Sequence, residues 1–273
     1  MSRERNPLLT AFALAVYAFL FAPVVVLIVF SFNSARRGLA WRGFTLDWYP
    51  TLFANDELLD ALWVTLQVAA VAVVLSTVLG SLLGLGLARL RFRGRAATET
   101  LLLVPMVTPE IVMGLSLLLF FLQLFDARGS IAQLSIAHAT FCISYVAVVV
   151  RARAANMNPA LEEAARDLGA SAWGAFRYVT LPLIAPAVLA GGLLAFSLSF
   201  DDYVVTTFNA GVGSSTLPLY IYSKVKFGVT PEINAISTIV VAGTALAILA
   251  AWRLGAFGRG GRTIVTEDDA TPV

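Results

Sequence analysis

Acidic side chains set within apolar sequence give this chain its clearest chemical potential. Glu110 stands in a long run that is otherwise uncharged, and Asp201 and Asp202 close another. A charge within a membrane span costs roughly 2.5–3.5 kcal/mol on insertion scales, so it usually has a function. Phe200, Tyr203 and Tyr145 lie in the same stretches. Their ring faces could each add about 0.5–2 kcal/mol of cation–π attraction. Carboxylates with rings suit a cation; an anion would need Arg or Lys there, and no span carries one. Two blander readings stay open: Asp201-Asp202 as a solvated outer helix end, and Glu110 as a structural hydrogen-bonding group or the partner of a cation on another subunit. Other chemistry has no visible machinery. The single cysteine, Cys142, excludes an intrachain disulfide and a CxxC metal site. His138, the one histidine, has no acidic or thiol residue beside it in sequence and reads as a satisfied buried imidazole, so no metal site is expected. The chain has no GxxxxGK[ST], HExxH or GxSxG. The GLGLGLA run around Gly84 and Gly86 lies in apolar sequence, so it is no nucleotide loop. Gly80 and Gly84 make instead a GxxxG helix-packing pair.

The elements that must position these residues follow from composition. Of 273 residues, 59% are hydrophobic and 13% charged, and the net charge is +2. Soluble domains carry roughly 25% charge. A disordered chain, a soluble enzyme and a nucleic-acid binder are all disfavoured. About 20 apolar residues cross a bilayer, and six stretches qualify: Leu8–Phe32, Ala61–Ala88, Thr100–Phe125, Gly129–Val150, Tyr178–Phe200 and Ile233–Trp252. Period-2 alternation is absent, which argues against a β-barrel. The expected fold is an all-α membrane protein with six transmembrane helices, forming a single domain over 1–273. The first stretch is too long for a cleavable signal and reads as an uncleaved anchor. With both termini inside, 13 of the 19 basic residues fall on the cytoplasmic side: Arg3, Arg5, Arg89, Arg91, Arg93, Arg95, Arg151, Arg153, Arg166, Arg177, Arg253, Arg259 and Arg262. Arg36, Arg37, Arg42, Arg128, Lys224 and Lys226 fall outside, a bias that supports this orientation. Asn33–Asp60 and Val204–Glu232 are then outer loops, and Arg151–Arg177 is a cytoplasmic one. The acidic tail Glu267–Asp269 reads as a frayed end. If the third span is straight, Glu110 lies about 20 Å from its inner end. Pro105 and Pro109 break its hydrogen-bond ladder, and a broken helix in a membrane usually lines a cavity.

The cytoplasmic loop reads NPALEEAARDLGASAWGAFRYVTLPLIAPA. Pro159 suits a helix start. Leu161, Ala164, Ala165 and Leu168 give an apolar face at i, i+3, i+4 and i+7. Gly169 suits the left-handed residue after a helix, and Ser171 can cap the next one. The result is an amphipathic helix, a sharp turn and a second helix running into the fifth span. Such an elbow suits docking into a soluble partner. Glu162, Glu163 and Asp167 on its polar face argue against an interfacial lipid helix.

These residues resemble the permease subunits of ABC importers, whose loop has the form EAA, three residues, Gly, nine residues, Ile, one residue, Leu-Pro. Glu163-Ala164-Ala165, Gly169, Val179, Leu181 and Pro182 fit every spacing, with Val in place of Ile. The resemblance implies the type I (MetI-like) importer fold. It makes Glu163, Ala164, Ala165, Gly169, Leu181 and Pro182 the ATPase-coupling positions. It also implies that ATP and Mg²⁺ belong to a partner ATPase dimer, with no cofactor on this chain and no catalysis by it. FTLDWYPTLFAND, PMVTPEIVMGLSLL, FSLSFDDYVV and LPLYIYSKVKFGVTPEINAISTI extend the resemblance over nearly the whole chain, towards the second permease subunit of spermidine/putrescine importers. That implies a polyamine path through Glu110, Asp201, Asp202, Tyr203, Phe200 and Tyr145. It also implies a second, homologous permease and an extracytoplasmic polyamine-binding protein, in the lipid of a bacterial inner membrane, with no nucleic-acid partner. Iron, thiamine or another small solute carried by the same architecture is the alternative, as is a cation channel or secondary transporter working without an ATPase. In the outer loop, Trp41, Phe44, Trp48, Tyr49 and Phe53 could form an interfacial belt or a docking surface. Arg36, Arg37 and Arg42 could pair there with acidic patches on the binding protein.

Overall fold

The computed structural model describes residues 7–35, 40–125, 129–226, 228 and 230–253. Arg3, Arg5, Arg36, Arg37, Arg128, Arg259, Arg262 and Glu267–Asp269 lie outside the described residues. Twelve α-helices run in order among the described residues. α1 (Pro7–Phe30), α3 (Asp56–Arg89), α6 (Ile131–Ala155) and α9 (Leu181–Phe200, extended at its start by α8, Ala172–Ala175, and a π turn, Phe176–Thr180) are the four continuous candidate spans. The third expected span is not one rod. It divides into α4 (Arg95–Val107) and α5 (Glu110–Phe125), bent by 110°. The straight-helix rise expected for Glu110 therefore does not apply. The sixth expected span is α12 (Pro231–Arg253), of which Pro231–Leu246 forms a shorter apolar segment. The four remaining helices are short: α2 (Trp48–Phe53), α7 (Ala160–Asp167), α10 (Val204–Asn209) and α11 (Leu217–Val225). The expected outer loop Val204–Glu232 thus contains two helices.

Local chemistry sets the ends of these helices. Asn55 caps α3 by accepting a hydrogen bond from the Leu58 amide at 3.1 Å. Ser130 and Gln133 form a reciprocal capping box on α6. The main core lies between α3, α6 and α9 and contains Cys142, Val146, Val150, Ile184 and Ala195. α6 and α9 run antiparallel in a fixed register. His138 meets Ser199, Cys142 meets the Ala195 carbonyl, and Arg153 meets the Leu183 carbonyl. A second core, around Leu52, Leu58, Leu217, Tyr220 and Ile236, ties α2 and α11 to α3 and α12. Within it the Leu217 amide donates to Thr65 Oγ1 at 2.7 Å.

Of the aromatics expected in an outer loop, Trp41, Phe44, Trp48 and Tyr49 contact residues 30–33 at the end of α1, and Phe53 is exposed. Trp48 Nε1 donates to the Asn33 carbonyl, Tyr49 contacts Ser31, and Phe32 stacks between Phe44 and Tyr49. α1 buries none of its residues. Its apolar surface is left for lipid or another subunit.

Gly80 and Gly84 sit where α3 crosses α6. A Cβ at Gly80 would lie 2.7 Å from Val146 Cβ, and one at Gly84 would lie 2.5 Å from the Ala147 carbonyl oxygen. The GxxxG pair therefore brings two backbones into contact, as small residues do in membranes. Gly86, two residues on, meets nothing. We predict that Gly84→Ala destabilises the purified protein by about 1–3 kcal/mol through overpacking. Gly86→Ala should leave the melting temperature unchanged or raise it. Equal melting curves for the two variants would contradict the assigned contact.

Candidate functional site

The two helix breaks face one cavity. The first is Thr108–Pro109, between α4 and α5. Pro109 has no amide to donate, and the Thr108 amide bonds the Val104 carbonyl, closing α4. The second is Asp201–Tyr203, between α9 and α10. Because α9 and α6 are antiparallel, Ser199 lies beside His138, seven residues into α6. That is about 10 Å from the N-terminal end of α6 at 1.5 Å per residue. The chain then turns back towards that end of α6 through α10, which packs on α5, to Ala210, which bridges Gly129. Asp201 and Asp202 close α9, as expected, but the chain continues past them into α10, so they stand at a break between two helices and not in an open loop.

The cavity between the breaks measures about 390 Å³. Glu110, Asp201, Asp202, Tyr145 and Tyr203 all line it. Phe200 does not. It packs on Phe196 and faces a separate apolar cavity of about 600 Å³ beside α11 and α12, with Tyr222 and Val240. Its position at the end of α9 turns it away from Glu110. Asp201 and Tyr203 border both cavities. The sequence did not single out Met106, Thr108, Met113 or Phe141, which also line the first cavity. Helix periodicity offers a signal for two of them: Phe141 lies one turn before Tyr145, and Met113 three residues after Glu110.

The three carboxylates differ in their bonding. Asp202 is committed within the chain. One oxygen accepts from the Thr206 amide at 2.8 Å and from the Thr206 hydroxyl at 2.9 Å; the other accepts from the Val205 amide at 3.3 Å. It thus satisfies the first turn of α10, which would otherwise present bare amides inside a membrane. His138 is fully buried and completes the network, with Nδ1 2.8 Å from Ser199 Oγ and Nε2 3.0 Å from Thr206 Oγ1. Since Thr206 gives its hydroxyl proton to Asp202, His138 Nε2 is the donor to Thr206 and Nδ1 accepts from Ser199. The imidazole is satisfied, as expected. The Asp202 carboxylate 3.4 Å from Nε2 was not foreseen, because 64 residues of sequence separate the two. Glu110 and Asp201, by contrast, are exposed to the cavity and make no hydrogen bond or ion pair to another described side chain.

On the other face, the elbow has the expected form. α7 begins after Pro159 and ends in Gly169 at φ +91°. The Ala170 amide bonds the Ala165 carbonyl and the Gly169 amide bonds the Arg166 carbonyl, the two bonds of a Schellman turn. Ser171 caps α8 by accepting from the Gly174 amide at 3.1 Å. The second helix differs from the regular one expected. Five residues of π turn precede Leu181 and Pro182. Pro182 has no amide to continue an α-helical ladder, and the wider turn accommodates that gap. Glu163 and Ala164 are exposed, as are Leu168 at 90% and Trp173 at 65%, and Ala165 is half-buried. Glu162, one residue before the motif, turns inward to Thr180 and Arg89.

Broken spans around an internal cavity, with a coupling-type elbow at the opposite face, define a membrane permease. Residues 76–259 match the family described as the binding-protein-dependent transport system inner membrane component. The chain belongs to that family: it is a multi-pass inner-membrane permease of binding-protein-dependent ABC import, a subunit that does not itself hydrolyse ATP. It is 44% identical over 231 residues to the spermidine/putrescine transport system permease protein PotC of Haemophilus influenzae, covering 85% of this chain and 90% of that one. It is 39% identical over 256 residues to the putrescine transport system permease protein PotI of Escherichia coli, covering 92% and 91%. Its fold matches a chain in the crystal structure of a bacterial alginate ABC transporter bound to its periplasmic protein, with a TM-score of 0.71 at 20% identity, covering 92% of this chain and 95% of that one.

The different bonding of the aspartates predicts different consequences. Asp202→Ala should lower stability by about 1–3 kcal/mol, as expected for a lost cap and unpaired buried donors. Asp201→Ala should leave the thermal midpoint of the purified complex within error of wild type. The reverse order of midpoints would contradict the assignment.

Proposed function

We propose that this permease carries a polyamine of the spermidine or putrescine class into the cytoplasm. The observation that carries this reading is the cavity between the two helix breaks. It presents two carboxylates, Glu110 and Asp201, that have no side-chain partner among the described residues, and the rings of Tyr145, Tyr203 and Phe141, with no basic residue among the described residues of its lining. A polyamine has ammonium groups along an alkyl chain. The carboxylates would accept its charge-assisted hydrogen bonds, and the rings would cover the cationic methylenes next to them. The named functions of the PotC and PotI relatives point to the same substrate class. Asp202 acts in this reading by holding the break open, and Phe200 by packing on its far side.

In the assembly we infer, both termini face the cytoplasm, a homologous permease completes the path, and a binding protein delivers substrate from outside. Two ATPase subunits holding ATP and Mg²⁺ grip the elbows. Glu163 of α7, with the exposed apolar residues Leu168, which follows α7, and Trp173 of α8, forms this chain's part of that contact. ATP-driven closure of the ATPases would move the elbow and switch the cavity between its two openings.

Uptake of radiolabelled putrescine and spermidine into proteoliposomes holding the full complex tests the substrate class. Wild type should show ATP-dependent uptake. Glu110→Gln and Asp201→Asn should each raise the apparent KM by about 10- to 100-fold, the worth of one hydrogen bond to a charged group. A wild type that moves neither polyamine, while its ATPase responds to iron or thiamine, would sink the polyamine assignment. Transport that survives without ATP hydrolysis would favour a channel or secondary transporter. For the elbow, Glu163→Ala should depress binding-protein-stimulated ATP hydrolysis while the subunits still co-purify. Full stimulation in that variant would remove Glu163 from the contact.

A further inference from the structure

We propose that Glu162, adjacent to the coupling motif, is the positioning residue through which movement of the elbow reaches the cavity. The inference rests on the elbow being the ATPase contact, and its test separates the two claims. Successive helical residues project about 100° apart, so Glu162 and Glu163 point to different sides of α7. Glu163 is exposed, whereas Glu162 is turned towards the membrane helices. One Glu162 oxygen accepts a hydrogen bond from Thr180 Oγ1, and the other lies 3.5 Å from an Arg89 guanidinium nitrogen. Among the described residues, Glu162 is the only side chain of α7 with a hydrogen bond or ion pair to another element. The backbone links of α7 to its neighbours run through turns, Asn156–Pro159 on one side and the Gly169 turn on the other. A turn transmits a push less directly than a bonded side chain does.

The two contacts lead to two of the three helices around the main core, α9 and α3. Thr180 is buried and ends the π turn at the foot of α9. α9 then runs 20 residues, about 30 Å, to Phe200, and Asp201 follows directly. Arg89 ends α3, which is fastened to α6 by the Gly80–Gly84 contact. The Arg89 and Glu162 side chains are only 21% and 27% exposed, so solvent screens the pair less than it would a surface bridge. A displacement of the elbow that leaves Glu162 bonded must therefore carry the foot of α9, and α9, continuous from Leu181 to Phe200, leads to Asp201 at its far end.

The test needs no transported substrate. Met113 lines the cavity, and the native Cys142 is buried. In the assembled complex, the labelling rate of Met113→Cys by an impermeant thiol reagent should change several-fold when ATP and vanadate are added. Glu162→Gln keeps the shape and can still accept from Thr180, but loses the charge pair. It should make that change about 3- to 10-fold smaller, with ATP hydrolysis kept within about twofold of the parent. Thr180→Val should act in the same direction. The exchange Glu162→Arg with Arg89→Glu should restore at least half of the lost change, which lost packing alone would not do. Glu162→Gln with the parent's full ATP-driven change overturns the proposal, as does an assembled charge exchange that restores nothing. Failure of Glu163→Ala to affect hydrolysis would instead count against the elbow as the ATPase contact, leaving the Glu162 result to be read on its own.

Discussion

No water is available inside a bilayer to satisfy a broken backbone, and the organisation of this protein depends on how it meets that constraint. A helix can be interrupted there only where protein groups or a wet cavity take up the freed amides and carbonyls. The chain interrupts two helices at depth. At Thr108–Pro109, proline removes the amide that would have been orphaned. At Asp201–Tyr203, the Asp202 carboxylate takes the amides of Val205 and Thr206, and His138 with Ser199 and Thr206 closes the remaining valences. Each break opens onto the other, and the space between is the cavity that holds Glu110 and Asp201. Fold and function thus have one cause. The features that are awkward for a membrane helix are those that create a polar site within it.

The rest of the bundle is the frame that keeps these breaks in register. Glycines let α3 and α6 approach at backbone distance, so that α6 presents His138, Phe141 and Tyr145 from a fixed position. α9 lies antiparallel on α6 and spans from the elbow to Asp201 as a single rod. The elbow is attached to the foot of that helix and to the end of α3. The cavity at one end and the elbow at the other therefore share helices, which is what the proposed coupling of the two would require.

Much of this was legible in the residues, and the remainder had identifiable reasons not to be. Apolar stretches marked the membrane helices, because hydrophobic length is a one-dimensional signal. Gly169 and Ser171 marked the elbow, because capping chemistry is local: each acts within five residues of itself. Pro105 and Pro109 indicated a break near Glu110. The size of the bend was hidden, since proline removes a bond without fixing the angle that replaces it. The depth of Asp201 and Asp202 was hidden too, because α10 resumes after the aspartates in a segment polar enough to read as an outer loop. The partnership of His138 with Asp202 depends on two helices meeting 64 residues apart, and neither residue carries a local sign of the other. Phe200 shows the limit of adjacency. It neighbours Asp201 in sequence and faces a different cavity, because the helix end turns between them.

The two breaks face one another across a single space. The most direct measurement is cross-linking of the double variant Thr108→Cys/Tyr203→Cys in the assembled complex, using a short bifunctional thiol reagent. Both positions line the cavity, and native Cys142 is buried. An intramolecular cross-link should form between the two engineered cysteines, more slowly when spermidine is present. Ready single labelling of each cysteine, with no cross-link between them, would contradict it.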